Sequence, residues 1–257
     1  MAGFDDTLLS RIEDAGLNAS APPQQRWLDG WLVRYLPGKA RRARCINAVV
    51  AGRLAVDDKL KLAAEVYREA GLPMIFRLHR FTQPASLDAT LASLNYAVVD
   101  HTRVMVCTRL PDHADSPLPA GMCWSRLDGA AFADAVGTLR GSPPEHCLSH
   151  ALRLQHSPVP YEGYAILREG TDEVLACGQF AREGAFVGLY DVFTHASVRG
   201  RGIASLLCER LLAISSKQGA RIGYLQVEAD NQPALAVYRR LGFAEGYQYH
   251  YREQPAA

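Results

Sequence analysis

Asp191-Val192-Phe193-Thr194-His195-Ala196-Ser197-Val198-Arg199-Gly200-Arg201-Gly202-Ile203-Ala204 is the stretch on which the reading of this chain turns. The approach, Ala185 to Thr194, has the apolar and β-branched character of a strand. Beyond the glycines, Gly202 to Lys217 places Ile203, Leu206, Leu207, Leu211 and Ile214 at helical spacing, and Gly219 stands where a helix stop is expected. Strand, glycine turn and helix N-terminus make an anion site. Glycine lets the backbone approach a ligand, the N–H groups of the first helical turn have no intrahelical acceptor, and the helix dipole adds positive potential. Arg199 and Arg201 can add charge-assisted hydrogen bonds to a phosphate. The plainer alternative is a helix start with two solvated arginines.

Two ligands compete for such a loop. A dinucleotide would take Gly200-Arg201-Gly202 as the opening of G-x-G-x-x-G and Glu228, at the end of the next strand, as the ribose carboxylate. Ser205 stands where the third glycine should be, and only 29 residues (257 − 228) follow Glu228, too few for the remaining parallel strands and helices. The segments upstream also argue against alternating β-α-β. Tyr161–Leu167, Val174–Phe180 and Ala185–Thr194 are strand-like and joined by the turn formers Glu169-Gly170-Thr171-Asp172 and Arg182-Glu183-Gly184, so they should pair antiparallel.

The second ligand accounts for more residues. After the apolar strand Arg221–Glu228 comes Asn231-Gln232-Pro233-Ala234-Leu235-Ala236-Val237-Tyr238-Arg239-Arg240-Leu241-Gly242-Phe243, a helix closed by glycine. Arg199-x-x-Gly202-x-Ala204 fits the pattern R/Q-x-x-G-x-G/A, and the downstream stretch fits N-x-x-A-x-x-x-Y-x-x-x-G-F. With both in this order, the chain resembles the GNAT superfamily of acyl-CoA-dependent N-acyltransferases. The signatures occupy Asp191 to Phe243, and the resemblance in element order covers about residues 121 to 253.

The resemblance implies a set of roles. Coenzyme A would lie where the strand Gly188–Thr194 splays from Arg221–Glu228, with backbone groups of Val192, Phe193 and Thr194 pairing with pantetheine. The amides of Arg199, Gly200, Arg201, Gly202, Ile203 and Ala204 would take the pyrophosphate. Tyr238 matches the tyrosine that reaches the CoA sulfur, and a phenol of pKa near ~10 can protonate a departing thiolate. Asn231 would cap its helix and touch the cofactor or a water. For the general base, Glu228 and Asp191 both stand. Alternation along Asp191-Val192-Phe193 does not choose between them, because a bulge there would reverse the face that Asp191 occupies.

The rest of the chain sets the frame. Pro111-Asp112-His113-Ala114-Asp115-Ser116-Pro117-Leu118-Pro119 has no apolar period and reads as a linker. The expected domains are residues 1–112, a divergent, non-catalytic GNAT-like lobe, and residues 120–257, the catalytic N-acetyltransferase domain. The fold class is α+β: tandem GNAT-like lobes, each a mixed, mostly antiparallel central sheet flanked by helices. In the first lobe the strand Arg44–Val50 leads only into Ala51-Gly52-Arg53-Leu54-Ala55, and Asp57 or Asp58 would cap the helix that follows to Ala70. Tyr67-Arg68-Glu69-Ala70-Gly71-Leu72 echoes Tyr238–Phe243, and a competing register sets Leu91–Tyr96 against Arg239–Phe243.

Formal charge is +1, from 28 Lys and Arg against 27 Asp and Glu, so no global field draws the chain to nucleic acid or anionic lipid. Apolar runs such as Ile46–Ala51 fall far short of the ~20 residues that cross a bilayer. The acidic start and six cysteines without a C-x-x-C pair suggest reduced core thiols in a cytoplasmic protein. His146 and His150, four apart, lack an evident third metal ligand, and no metal is expected. The cluster Arg34, Lys39, Arg41, Arg42 and Arg44 could meet RNA or an acidic substrate, but reads better as a solvated hairpin. His195 could contact substrate, and Tyr161, Tyr164, Trp124 and the Tyr247/Tyr249/Tyr251 face could line an acceptor pocket or simply be core. The expected activity is transfer of an acetyl group from acetyl-CoA to a primary amine, of a small molecule or a peptide N-terminus, by direct attack in a ternary complex. A monomer with no nucleic-acid or membrane partner is expected. The alternatives are a CoA-binding regulatory module without turnover and a dinucleotide-binding enzyme.

Overall fold

In the computed structural model, which describes residues 3–38, 40–114 and 116–255, the chain begins with α1 (Asp6–Ala19), β1 (Gln25–Leu28), β2 (Trp31–Arg34) and β3 (Ile46–Ala48). It continues through α2 (Val56–Ala70), β4 (Ile75–His79), α3 (Leu87–Ser93) and β5 (Ala97–Cys107). Next come β6 (Met122–Leu127), α4 (Gly129–Arg140), α5 (Pro144–Gln155), β7 (Tyr161–Arg168), β8 (Val174–Glu183) and β9 (Phe186–Thr194). It closes with α6 (Ile203–Lys217), β10 (Ile222–Glu228), α7 (Gln232–Arg240) and β11 (Ala244–Glu253). Lys39 and Asp115, part of the basic cluster and of the linker, lie outside the described residues.

Two compact units emerge. The larger joins the chain up to Ala19 with Met105–Gly246; the smaller joins Ser20–Val104 with the chain from Tyr247. The expected division into 1–112 and 120–257 therefore differs at both ends of the chain. α1 is not marked by any motif, yet its buried face, Leu9, Ile12, Ala15 and Ala19, belongs to the larger unit, where the Tyr161 hydroxyl donates to the Ala19 carbonyl at 2.8 Å. β11 from Tyr249 to Glu253 pairs antiparallel with His79 back to Ile75 of β4. Its alternating tyrosines, Tyr247, Tyr249 and Tyr251, are buried in the smaller unit. Period-2 patterning marks a strand and its buried face; it does not name the neighbouring strand.

In the larger unit the strand order is β10-β9-β8-β7-β6, with β10 and β9 parallel and the rest antiparallel. Strand alternation gives it two apolar faces. Phe132, Val136 and Leu154 of α4 and α5 pack with Ala165 and Cys177 on one, while Leu207 and Leu211 of α6 and Leu235 of α7 pack with Ile166 and Ala176 on the other. The smaller unit runs β1-β2-β3-β4-β11, with β3 and β4 parallel across α2. Its core gathers Leu60, Ala63 and Tyr67 of α2 and Leu87 and Leu91 of α3 against Trp31 and Phe76.

Two local expectations change. α2 starts at Val56 behind Ala55, which offers no side-chain cap, so Asp57 and Asp58 act within the first turn through the helix dipole rather than as caps. The basic cluster does join the antiparallel strands β2 and β3, but among its described residues it is solvated only in part. Arg34 is buried and donates to Gln25 and Ser20, and Arg41 pairs with Asp100 and Glu253.

Candidate active site

The parallel register of β10 with β9 runs from Ile222↔Phe186 to Leu225↔Leu189 and ends there, although β9 continues to Thr194 and β10 to Glu228. A bulge explains the parting. On the other side of β9, Gln179↔Tyr190 is followed by Cys177↔Phe193, so Gly178 alone faces both Asp191 and Val192. Asp191 takes a φ of +49° to accommodate the extra residue, and a bulge of this kind bends the strand and raises its twist.

The bulge also settles which face Asp191 occupies. Tyr190, Asp191 and Phe193 all side with α4 and α5, which strict alternation forbids, while Val192 packs with the α6 face. There the Asp191 carboxylate accepts from Arg140 of α4 at 2.9 Å and from Gln179 of β8 at 2.7 Å, and His150 Nε2 of α5 stands 3.4 Å away. Burial would push this carboxyl up, but His150, Arg140 and Arg153 together outweigh it and hold the pKa well below the usual carboxylate range. A carboxylate so firmly ionised is a weak base at neutral pH. His150 is thus turned to an acid rather than paired with His146.

The glycine loop forms the mouth of α6. His195 Nδ1 accepts the Ser197 N–H and closes a single 3-10 turn, Ala196–Val198. Gly200 and Gly202 follow at φ +75° and +78°, a region that a side chain enters only under strain. Gly202 is the N-cap of α6 and supplies no side-chain acceptor, so the first N–H groups of the helix, at Ile203 and Ala204, have no partner within it. Arg199 folds back: its Nε donates to the Thr194 carbonyl at 3.2 Å and its guanidinium lies 5.8 Å from the Phe193 ring centroid. The loop, its arginines and the free end of β9 are therefore brought together, as a bound pyrophosphate and pantetheine would require.

α7 carries two further candidates. Asn231 Oδ1 accepts the Ala234 N–H at 3.2 Å and caps the helix. Tyr238, one helical face along, packs beside α6 with its ring edge-on to Phe243 at 6.0 Å. Burial, and secondarily the Cys208 thiol, pushes the phenol well above its ordinary value, so it keeps its proton through neutral pH. Glu228 is the exposed last residue of β10, three residues before the cap of α7. Tyr238 and the loop thus share the α6 side of the sheet, Glu228 stands at the end of the parted strand, and Asp191 lies on the opposite side.

Arg140 and Gln179, the partners that define the state of Asp191, carry no motif and lie 51 and 12 positions away. Nor does local sequence flag the Tyr190 and Tyr224 hydroxyls, 3.0 Å apart where β9 and β10 begin to part. Gly188, next to both rings, leaves them room that a Cβ would take. Trp124 stacks on Tyr164 and packs into the core. The antiparallel run from β6 to β9 departs from the alternating parallel units that a dinucleotide fold needs.

A parallel pair parted by a bulge thus leads into a glycine loop, with a half-buried phenol on the same side of the sheet. Residues 119–243 match the acetyltransferase (GNAT) family. The chain is 24% identical over 231 residues to the uncharacterized N-acetyltransferase YobR of Bacillus subtilis, which covers 89% of this chain and 91% of that protein. A GCN5-related N-acetyltransferase from Kribbella flavida aligns with a TM-score of 0.68 at 15% identity, over 100% of this chain and 98% of that one. A tandem GNAT protein from the clavulanic acid biosynthesis pathway aligns at 0.63 and 15% identity, over 78% and 70% of the two chains, and shares the fold. Residues 119–243 therefore form a GNAT acetyltransferase domain, and the chain as a whole shares its fold with the Kribbella flavida protein.

Proposed function

We propose that the protein transfers an acetyl group from acetyl-CoA to a primary amine, of a small molecule or a peptide N-terminus, in a ternary complex. The observation that carries this reading is the parting of β9 from β10 directly beside the glycine mouth of α6, with Tyr238 on the same side. The residues fit the donor. Gly200, Gly202 and the amides of Ile203 and Ala204 suit the pyrophosphate, Arg199 and Arg201 add charge, and Val192, Phe193 and Thr194 offer the backbone edge for pantetheine. Bound acetyl-CoA supplies an activated thioester.

Glu228 is assigned as the base that takes the proton from the ammonium, directly or through water, because the ion pairs of Asp191 leave that carboxylate with little basicity. The freed amine forms the new C–N bond as the C–S bond breaks. Tyr238 gives its proton to the departing thiolate and regains one, directly or through water, from the nitrogen, which becomes positively charged as the C–N bond forms and is neutral again in the amide. Asp191 acts as a positioning residue that ties α4 and α5 to the bulge, and Asn231 as the cap that fixes α7. The larger unit is the catalytic one and the smaller takes no part in the chemistry. No helix among the described residues is long and apolar enough to cross a membrane, and the protein is proposed to work as a cytoplasmic monomer.

Calorimetric titration of acetyl-CoA into wild type and an Arg199→Ala/Arg201→Ala variant tests the loop without needing the acceptor. Saturable binding, weakened at least about 10-fold in the variant, is expected from two lost charge-assisted contacts. Thiol release across an amine panel then identifies the acceptor. Binding without thiol release would instead mark a CoA-binding regulatory module, and no binding would end the reading.

A further inference from the structure

The smaller unit contains the same succession as the larger one: a strand (β3), a loop, a helix (α2) and a second strand (β4) parallel to the first. Counting back from the helix cap sets Arg53 and Leu54, before Ala55, where Gly200 and Arg201 stand before Gly202. In the smaller unit those two amides both meet one carboxylate. The Arg53 N–H lies 2.9 Å from both carboxylate oxygens of Asp29, and the Leu54 N–H donates to Oδ2 at 2.8 Å.

A buried cation completes the arrangement. Lys59, in the second turn of α2, is fully buried; its ammonium lies 3.1 Å from Asp29 Oδ2, donates to the Asp29 carbonyl at 2.7 Å and to the Ala51 carbonyl, and sits 5.1 Å over the Trp31 ring. The loop is moulded to this carboxylate. Gly52 takes a φ of +73°, and a Cβ there would collide with the Asp29 carbonyl and carboxylate. Asp29 reaches in from the tight β1–β2 turn, where it and Gly30 both have positive φ, at +43° and +86°. The backbone bonds from Arg53 and Leu54, with Lys59, hold its carboxyl below the ordinary value.

We propose that the β3–α2 loop with Lys59 is an anion cradle whose resident ligand is the chain's own Asp29 carboxylate, so that the smaller unit has no room there for a phosphate or any other free anion. The carboxylate supplies what a bound anion would: acceptors for two loop amides and a counter-charge for a lysine with no access to water. The cradle is distinct from the acetyl-CoA site proposed above, and a test that uses no CoA separates the two.

Asp29→Gly removes the carboxylate while keeping a residue that accepts positive φ, and Lys59 retains its two carbonyl acceptors. Thermal melting of wild type and variant would be compared in sodium acetate, sodium phosphate and sodium chloride at equal ionic strength. The expected result is a variant that melts several degrees lower in chloride and recovers part of that loss in acetate or phosphate, while wild type does not respond. Asp29→Asn fills the cradle with a neutral group, and is expected to melt lower than wild type without recovering in either anion. A glycine variant that melts like wild type, or that gains no more from the anions than wild type does, overturns the proposal. Should the glycine variant fail to fold, an asparagine variant with the wild-type melting point overturns it equally.

Discussion

In the larger unit, β9, a glycine loop and α6 lead into the parallel strand β10; in the smaller unit, β3, a loop and α2 lead into the parallel strand β4. Both helices start without a side-chain cap, at Gly202 and at Ala55. The difference lies in what meets the loop. In the larger unit a Cβ at Gly200 or Gly202 would face open space, whereas in the smaller unit Asp29 fills the corresponding place and Lys59 locks it. The closing helices diverge as well. α7 is capped by Leu241 before Gly242 and the buried Phe243, and α3 is capped by Leu94 before Asn95, at φ +62°, and the buried Tyr96. This register aligns Leu91, fully buried, with Tyr238, and resolves the internal echo in favour of Leu91–Tyr96. A shared backbone motif thus does not carry an activity; the groups that fill it do.

The largest expected effect separates the two helices. Tyr238→Phe keeps the packing that Leu91 represents in the smaller unit but removes the acid, and should lower kcat about 10³-fold with the affinity for acetyl-CoA unchanged. Calorimetry beside steady-state kinetics checks this, and an unchanged kcat would break the proposed role. Next is the choice of base. Glu228→Gln should cost about 10²-fold in kcat, with the pH–rate profile losing its acid limb.

Asp191→Asn should leave kcat within a few-fold but lower stability by about 2 kcal/mol, because Arg140 loses its counter-ion in a partly exposed cluster. Since the folded pKa of Asp191 is depressed below its unfolded value of about 3.9, its stabilising contribution is complete above that pH. It is lost as pH falls toward the folded value. Denaturant melts between neutral pH and pH 3 should therefore show the wild-type advantage over the asparagine variant shrinking toward the acid end. The smallest effects compare the two helix starts. Ala55→Ser should add about 0.5–1 kcal/mol through a side-chain cap at an extended residue, whereas Gly202→Ser should cost about 1 kcal/mol by forcing a side chain into positive φ. Urea melts measure both.

Much of the larger unit was legible residue by residue. The helical spacing from Ile203 to Ile214, the turns at Glu169–Asp172 and Arg182–Gly184, and the stop at Gly242 all lie in short windows where side-chain period and backbone preference agree. The same local signals misplaced the start of α2, because Asp57 and Asp58 suit a first turn as well as a cap. α1 was not legible. Its amphipathic face is short, and its partners, Tyr161 and Phe186, lie more than 140 positions away.

By itself the sequence determined the glycine loop, the helix it opens, the capped helix that carries Tyr238 and the family to which they belong, because each depends on backbone conformation within a few residues. Only the tertiary structure decided that Asp191 is ion-paired, that the last strand joins β4, and that Asp29 occupies the second loop. Those outcomes rest on contacts between residues 24 to 178 positions apart, where charge, burial and strand pairing act through space and leave no period along the chain.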